Sequence, residues 1–210
     1  MATTVLDPRA GTEAPAATAP ARARVRGVAE PLPPGERILW EGAPQARAIA
    51  RHLLFVRPLA AYLGVMMLWW MAANRAAIAT ADFWTTVAVQ AAMSGFVIGG
   101  TLWVARAVAD STTYAITDQR IVIRLGIVFN LTVNVPLRYV QGAQLKTFAD
   151  GTGQVAVQLD PKEKLAWIVL FPHVRPWRFS QPEPLLRGLP DAARAGEALR
   201  AAVQAQEEGR

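Results

Sequence analysis

The chain has 210 residues, 52% of them hydrophobic, and a formal net charge of +6 at pH 7. This length allows about one or two domains, and the basic balance indicates contact with an anionic surface. The sequence contains no cysteine and only two histidines. It therefore excludes disulfides, thiolate nucleophiles and cysteine metal sites, and it leaves little material for histidine chemistry.

Residues 1–30 form an N-terminal segment rich in Ala, Pro, Thr and Arg, with almost no large apolar side chains. Such a composition cannot bury enough apolar surface to offset the entropy of ordering, so it predicts a disordered tail. A juxtamembrane lead-in, residues 31–57, then connects the tail to the first of two apolar runs.

The two apolar runs, residues 58–74 and 83–105, contain no charged side chain. Each is close to the roughly 20 residues that a helix needs to cross a bilayer core, and a short loop separates them. We predict a two-helix transmembrane hairpin over residues 58–108. The alternative, a buried helix pair of a soluble protein, leaves the charges that flank the runs unexplained. Tryptophans lie near the ends of the runs, as expected at membrane–water interfaces: Trp69, Trp70, Trp84 and Trp103.

Arginines flank the hairpin unevenly. Arg47, Arg51 and Arg57 precede the first run and Arg106 follows the second, whereas the connecting loop has only Arg75. The positive-inside rule therefore predicts that both termini lie in the cytoplasm and the short loop on the other side of the membrane. The four flanking arginines are also candidate contacts for anionic lipid, each worth about 1 kcal/mol near such a surface. Alternatively, they set the topology alone.

The second run carries small residues at every fourth position, Ala91, Gly95 and Gly99. Gly95 and Gly99 form a G-x-x-x-G pattern, which lets two helix backbones approach closely. This face predicts a contact with another membrane protein or with a second copy of the chain. The alternative is that the face packs the second helix against the first.

After residue 110 the apolar residues alternate with polar ones, which predicts short β-strands. The expected strands are residues 112–117, 120–125, 129–135, 142–148, 154–159 and 165–171. A helix follows over residues 190–206, because its apolar residues recur at helical spacing. We therefore predict an α+β fold for residues 109–210. It is an antiparallel β-sandwich or roll closed by a C-terminal helix, which is a pleckstrin-homology-like (PH-like) shape, and it lies in the cytoplasm.

An aromatic and basic block, Trp177, Arg178 and Phe179, lies between Pro176 and Pro182. Exposed Trp and Arg side chains are frequent anchors of protein–protein interfaces, so these three residues are candidate partner contacts. Alternatively, Trp177 plugs the open end of the sandwich.

No motif for catalysis or cofactor binding stands out. The carboxylates are scattered, without a pair spaced for acid–base work, and no G-x-x-x-x-G-K-[ST] or G-x-S-x-G pattern is present. His52 and His173 are the two candidate histidine ligands for a metal or cofactor. An interfacial position for His52 and a structural or solvent-facing one for His173 are simpler interpretations. We predict a non-enzyme without catalytic, cofactor-binding or metal-binding residues.

Residues 32–42 (LPPGERILWEG) resemble the G-E-x-hydrophobic-hydrophobic-W-x-G start of bacterial membrane-anchored PH-like proteins. Residues 114–121 (YAITDQRI) resemble their Y-x-hydrophobic-T-x-x-R hairpin. Four further blocks resemble, in the right order, the photosynthetic complex assembly proteins of the PuhB type from purple bacteria: residues 124–127, 131–137, 177–179 and 184–192. The resemblance covers about residues 32–205.

This resemblance implies a non-enzymatic assembly factor in the inner, intracytoplasmic membrane, acting on the photosynthetic reaction centre and its light-harvesting core complex. The implied partners are reaction-centre subunits, which the factor would hold during maturation. Anionic lipid and a second copy are further expected partners, and nucleic acid is not. The alternative is a membrane-anchored PH-like module that binds lipid and has no photosynthetic role.

Overall fold

The computed structural model of the chain describes residues 23–28, 32–126, 131–160, 173–175 and 182–208. These ranges contain four α-helices, seven β-strands and two short 3₁₀ turns. In chain order they are β1 (Ile38–Gly42), α1 (Ala46–His52), α2 (Val56–Ala73), a 3₁₀ turn (Arg75–Ala77), α3 (Ala81–Ser111), β2 (Thr113–Thr117), β3 (Arg120–Leu125), β4 (Leu131–Pro136), a 3₁₀ turn (Leu137–Tyr139), β5 (Val140–Thr147), β6 (Gly153–Leu159), β7 (Leu185–Leu189) and α4 (Ala192–Glu208).

The helices α2 and α3 form the predicted hairpin, and each is long and apolar enough to cross a membrane. The 18 residues of α2 extend over roughly 27 Å, close to the thickness of the hydrocarbon core. Thr80 caps α3, because its Oγ1 accepts a hydrogen bond from the Phe83 N–H (3.3 Å). At the same end the rings of Phe83 and Trp70 lie 5.4 Å apart between centroids. The short loop and this ring contact close the hairpin.

The hairpin exposes its apolar side chains. The largest exposed fractions among large apolar residues are those of Phe96 (77%), Trp69 (72%) and Trp103 (71%). A helix pair of a soluble protein buries such side chains in a core, whereas lipid tails accommodate them. The exposure is therefore compatible with membrane association of the two helices.

The first sheet has the strand order β1-β2-β3-β4, with antiparallel neighbours throughout. β1 precedes the hairpin and β2 follows it, yet the two strands pair directly, with Gly42 opposite Tyr114. The hairpin is therefore an insertion between two neighbouring strands, and both of its ends enter the same domain. The lead-in, residues 31–57, supplies an edge strand of this domain as well as the connection to α2.

The second sheet has the antiparallel order β5-β6-β7, and α4 packs against the core that the two sheets share. The predicted antiparallel β-domain with a C-terminal helix is confirmed for the described residues. β2, β3, β5, β6 and α4 each begin and end within two residues of expectation. Asp191 precedes α4 as its cap, accepting a hydrogen bond from the Arg194 N–H (3.2 Å). The expected strand over residues 165–171 lies outside the described residues. The apolar residues that recur at helical spacing on α4 belong to the buried core: Ala192, Ala195, Leu199 and Ala202.

The hairpin and the domain are joined by α1. Ile49 and Ala50 on α1 form a buried cluster with Ala105 and Val108 near the end of α3. The Gln45 N–H donates to the carbonyl of Gly188 on β7 (2.8 Å). A single residue separates α3 from β2. These contacts hold α1 against both the end of α3 and β7, and so join the hairpin to the domain.

The end of the N-terminal segment packs on the outer face of the first sheet. Val25 and Leu32 are buried against Ala115 and Val122. The composition of residues 1–30 predicted a disordered tail. The apolar contacts of Val25 instead place residues 23–28 on the domain. Residues 1–22 lie outside the described part of the chain.

Candidate functional site

Residues from both sides of the hairpin meet in a buried ion pair. Arg120 donates to both carboxylate oxygens of Glu36, from Nε to Oε1 at 2.9 Å and from Nη2 to Oε2 at 2.8 Å. The Thr117 hydroxyl donates to Oε1 at 2.7 Å. The Glu36 side chain is 1% exposed, so its charge requires this pairing. The G-E and T-x-x-R motif residues therefore fasten the lead-in to the β2–β3 turn.

The W-x-G part of the lead-in reflects close packing within β1. A Cβ added to Gly42 would lie 2.5 Å from two ring carbons of Trp40, a distance that real contacts do not allow. Glycine at this position lets the indole lie over the strand, where it packs against the domain core. The motif is therefore architectural at this position too.

A polar network is buried where α3 ends and β2 begins. The His173 ring lies between the Tyr114 hydroxyl, 2.5 Å from Nδ1, and the Thr112 hydroxyl, 3.2 Å from Nε2. The Arg187 N–H donates to the Tyr114 hydroxyl at 3.2 Å, and Arg187 Nη2 donates to the carbonyl of Val174 at 2.7 Å. These bonds tie the end of β2 that follows α3 to β7.

Burial sets the protonation of this network. Desolvation lowers the pKa of His173 to about 3, and the positive charge of Arg187 acts in the same direction, so the ring is neutral at physiological pH. Burial raises the pKa of the Tyr114 hydroxyl above its usual value. His173 is fully buried. Its structural interpretation is therefore confirmed, and the solvent-facing one is wrong, because the ring is sealed between β2 and the segment that leads to β7.

A second polar cluster, the α1 clamp, consists of Arg51, His52, Phe148 and Asp150. Asp150 Oδ2 accepts a hydrogen bond from Arg51 Nη1 at 2.6 Å and lies 2.9 Å from His52 Nε2. The His52 ring stacks on Phe148 with a centroid separation of 3.8 Å. Hydrogen bonds from Thr152, His52 and Arg51 hold the pKa of Asp150 well below its usual range. The clamp fastens α1 to the β5–β6 turn.

The α1 clamp gives Arg51 a different environment from the other arginines that flank the hairpin. Arg51 is bound to Asp150, whereas Arg47 and Arg57 are exposed. Arg106 lies 3.6 Å from Asp110 in a pair whose side chains are 78% and 70% exposed, so this pair holds it weakly. The lipid interpretation therefore depends mainly on Arg47, Arg57 and Arg106.

The small-residue face of the hairpin is exposed. Ala91, Gly95 and Gly99 are all exposed on α3, and a Cβ on either glycine would meet nothing within 4 Å in the described chain. The side of α3 nearer α2 carries less exposed residues, including Phe83 and Ser94. The face thus lies open beside the α2–α3 contact.

A groove lies between β5 and α4, and we call it the β5–α4 groove. Its lining combines small and apolar residues with polar and charged ones around a volume of about 280 Å³. The first group is Gly142, Ala143 and Leu145 on β5 with Ala193 and Gly196 on α4, and the second is Gln141 on β5 with Glu197, Arg200 and Gln204 on α4. Leu145 is 49% exposed. Sequence reasoning missed this groove, because periodicity does not show which edge of a sheet a helix leaves uncovered. The mid-helix glycine at position 196 was the one available signal.

Three candidate residues, Trp177, Arg178 and Phe179, lie outside the described residues, so both interpretations of this block stay predictions. Within the ranges that the structure describes, no group of three or more His, Cys, Asp or Glu side chains is arranged to hold a metal ion. The candidate functional surfaces are the small-residue face, the exposed flanking arginines and the β5–α4 groove.

Comparison with known proteins gives the architecture a family. Residues 52–203 match the family model of the bacterial PH domain, a stretch that includes the hairpin, most of the strands and most of α4. A Rhodobacter capsulatus protein described as "Uncharacterized 23.7 kDa protein in puhA 5'region" is 33% identical over 187 residues, which cover 86% of this chain and 85% of that protein. No solved structure matches the chain. Because the family model matches most of the chain's length, the chain belongs to the bacterial PH-domain family.

Proposed function

We propose that this protein is a non-enzymatic inner-membrane assembly factor for the photosynthetic reaction centre and its light-harvesting core complex. The observation that carries the proposal is the relative from the puhA 5′ region, which aligns with 86% of this chain. A relative from a photosynthesis gene region suggests a role near the reaction centre. The sequence blocks that resemble PuhB-type assembly proteins support the same assignment.

The architecture suits a protein that holds partners at a membrane. The α1 clamp fastens α1, at the base of the hairpin, to the β5–β6 turn of the domain, so the two parts present their surfaces in a constant arrangement. A partner that contacts both parts gains from the high effective concentration of the second contact. The small-residue face would meet membrane helices of nascent subunits, and the domain would meet their cytoplasmic segments.

The proposal includes an orientation. Both flanks of the hairpin enter one domain, so they lie on the same side of any membrane that the hairpin crosses. Arg47, Arg57 and Arg106 lie on that side, and the positive-inside rule assigns it to the cytoplasm. The protein would therefore be a multi-pass protein of the intracytoplasmic membrane with both termini inside the cell.

Deletion of the gene tests the proposed function. A deletion strain grown phototrophically should contain less assembled reaction-centre core complex, measured by absorption of isolated membranes, while the cellular bacteriochlorophyll precursors remain. Complementation with the wild-type gene should restore the complex. Normal assembly in the deletion strain would contradict the proposal.

A second candidate function is lipid binding without a photosynthetic role, and the exposed arginines at the base of the hairpin favour it. Three such cations next to an anionic leaflet are worth about 1 kcal/mol each. Native mass spectrometry of the full-length protein counts retained anionic lipids, and a triple variant of Arg47, Arg57 and Arg106 to glutamine should retain fewer. Equal retention would count against this function.

A further inference from the structure

We propose that the β5–α4 groove binds an extended juxtamembrane segment of a partner membrane protein. The segment adds as a strand to the outer edge of β5 and places an apolar side chain against Gly196. This inference rests on the proposed function, and it names the surface and the kind of segment through which a partner subunit is held.

The outer edge of β5 carries no paired strand in the described part of the chain. There β5 pairs with β6, from Val140 opposite Leu159 to Thr147 opposite Gly153. The chain returns to the sheet on the opposite side, where Val174 pairs with Pro184 next to β7. The last four residues of β5 are all exposed. An edge strand with free backbone groups is a template for strand addition.

The groove adds a side-chain site to this edge. Ala143 and Leu145 on β5 line it together with Ala193 and Gly196 on α4. Glycine inside a helix costs about 1 kcal/mol relative to alanine, yet a Cβ on Gly196 would meet nothing within 4 Å in the described chain. No contact described here requires this glycine. Its effect is to leave open a space that a side chain from outside can enter.

The shape of the groove favours a peptide over a compact small molecule. The site continues along the exposed residues at the end of β5, which a compact ligand would not use. A strand with an apolar side chain uses both the backbone edge and the space at Gly196.

The position of β5 indicates a membrane protein as the source of the segment. Its Thr147 end leads into the turn that Arg51 and His52 hold through Asp150, just before α2 begins at Val56. A chain that leaves the bilayer beside the hairpin therefore reaches β5 directly. Lys146, exposed at this end, lies 5.3 Å from the Phe148 ring centroid. An acidic residue on the segment complements this charge in a cross-strand pair.

Peptide binding to the full-length protein tests the inference. The probes are fluorescein-labelled peptides of about 12 residues, long enough to pair along β5, which tile the cytoplasmic juxtamembrane segments of the reaction-centre and light-harvesting subunits. Fluorescence anisotropy measures Kd for the protein in lipid nanodiscs. We expect at least one peptide to bind, and Gly196→Leu to raise its Kd by about tenfold or more, as for a central contact. Hydrogen exchange of the β5 amides should slow in the complex.

The matched control is Ala201→Leu, which adds a leucine to an exposed position of the same helix outside the groove lining. It should leave Kd within about twofold, the scale of a change at a neutral surface site. Thermal unfolding should show both variants folded. If Gly196→Leu loses stability, Lys146→Glu replaces it as the test variant and should weaken binding of an acidic peptide.

Several results would overturn the inference: no binding by any peptide, equal Kd for wild type and Gly196→Leu, or unchanged exchange of the β5 amides. These failures are distinct from failure of the proposed function. A protein that co-purifies with reaction-centre subunits but binds no juxtamembrane peptide keeps its role and loses this site.

Discussion

Glu36 and Arg120 lie on opposite sides of the hairpin insertion in the sequence, yet their side chains form a two-point ion pair with Glu36 buried. The pair joins the lead-in to β3, while β1 pairs with β2. Two strands that the insertion separates along the chain are thereby held in one sheet. This relationship explains why the two motifs that resemble bacterial PH-like proteins occur together.

Loss of Arg120 should destabilise the domain. In Arg120→Ala the buried Glu36 carboxylate loses its counter-charge, which costs about 3–5 kcal/mol for a pair of this kind. Urea unfolding in detergent, followed by tryptophan fluorescence, measures the free energy of unfolding. Arg194→Ala, which removes an exposed pair with Asp191, should cost less than about 1 kcal/mol. Similar small losses in both variants would contradict the structural role of Arg120.

The stability of the domain should fall in mild acid because of His173. Its folded-state pKa of about 3 lies below the usual 6.5, so between these values the unfolded chain binds more protons at this site. The stabilisation is complete above about pH 6.5 and decreases, by up to about 1.4 kcal/mol per pH unit, as the pH falls toward 3. Urea unfolding between about pH 4.5 and 6.5 should give His173→Gln a shallower slope than wild type. Parallel slopes would sink this explanation.

The α1 clamp should restrain α1 against the domain. Asp150→Asn removes the charge that Arg51 and His52 share, so hydrogen exchange should accelerate over residues 46–52 and in the β5–β6 turn. Asp82→Asn, at the far end of the hairpin, is the control and should leave these amides unchanged. Identical exchange of wild type and Asp150→Asn would show that the apolar contacts of α1 suffice.

The absence of native cysteine allows a direct test of orientation. Ala79→Cys places a thiol in the loop between α2 and α3, and Ala201→Cys places one on the exposed side of α4. In spheroplasts a membrane-impermeant maleimide should label the first variant, and it should label the second only after permeabilisation. The reverse pattern would invert the proposed topology.

The small-residue face should matter for association and not for folding. Gly95→Leu fills space that is empty in the described chain, so the protein should still accumulate, but its helix should approach a partner less closely. Gly100→Leu is a matched control, because Gly100 is also exposed and uncontacted and lies about 140° away around the helix. Recovery of partner subunits should fall for Gly95→Leu alone. Equal recovery from both variants would exclude this face.

Local patterns predicted much of the fold. Charge-free length identified α2 and α3, alternation identified β3 at its observed bounds, and helical spacing identified the buried stripe of α4. Each of these signals lies within one element. The pairing of β1 with β2 was not predicted, because the resemblance marked the lead-in as a motif without assigning it to a sheet.

The candidate site was less accessible to sequence reasoning. Asp150 was assigned to a hairpin turn, and His52 to the membrane interface, without the contact of 2.9 Å that joins them across 98 positions. The burial of His173 depends on Tyr114 and Thr112, about 60 positions away. Such contacts follow from how the two sheets pack, which periodicity does not encode. The arginines and glycines of the hairpin were found because loop charge and four-residue spacing can be read from neighbouring positions in the sequence.

The most direct test of the central claim is affinity purification of the tagged full-length protein from detergent-solubilised membranes of phototrophically grown cells. The proposed function predicts co-purification of reaction-centre subunits, enriched in incomplete complexes relative to the mature core. The Gly95→Leu and Gly100→Leu proteins, purified in parallel, serve as matched references. Recovery of the wild-type protein with lipid alone, and without reaction-centre subunits, would contradict the assembly role.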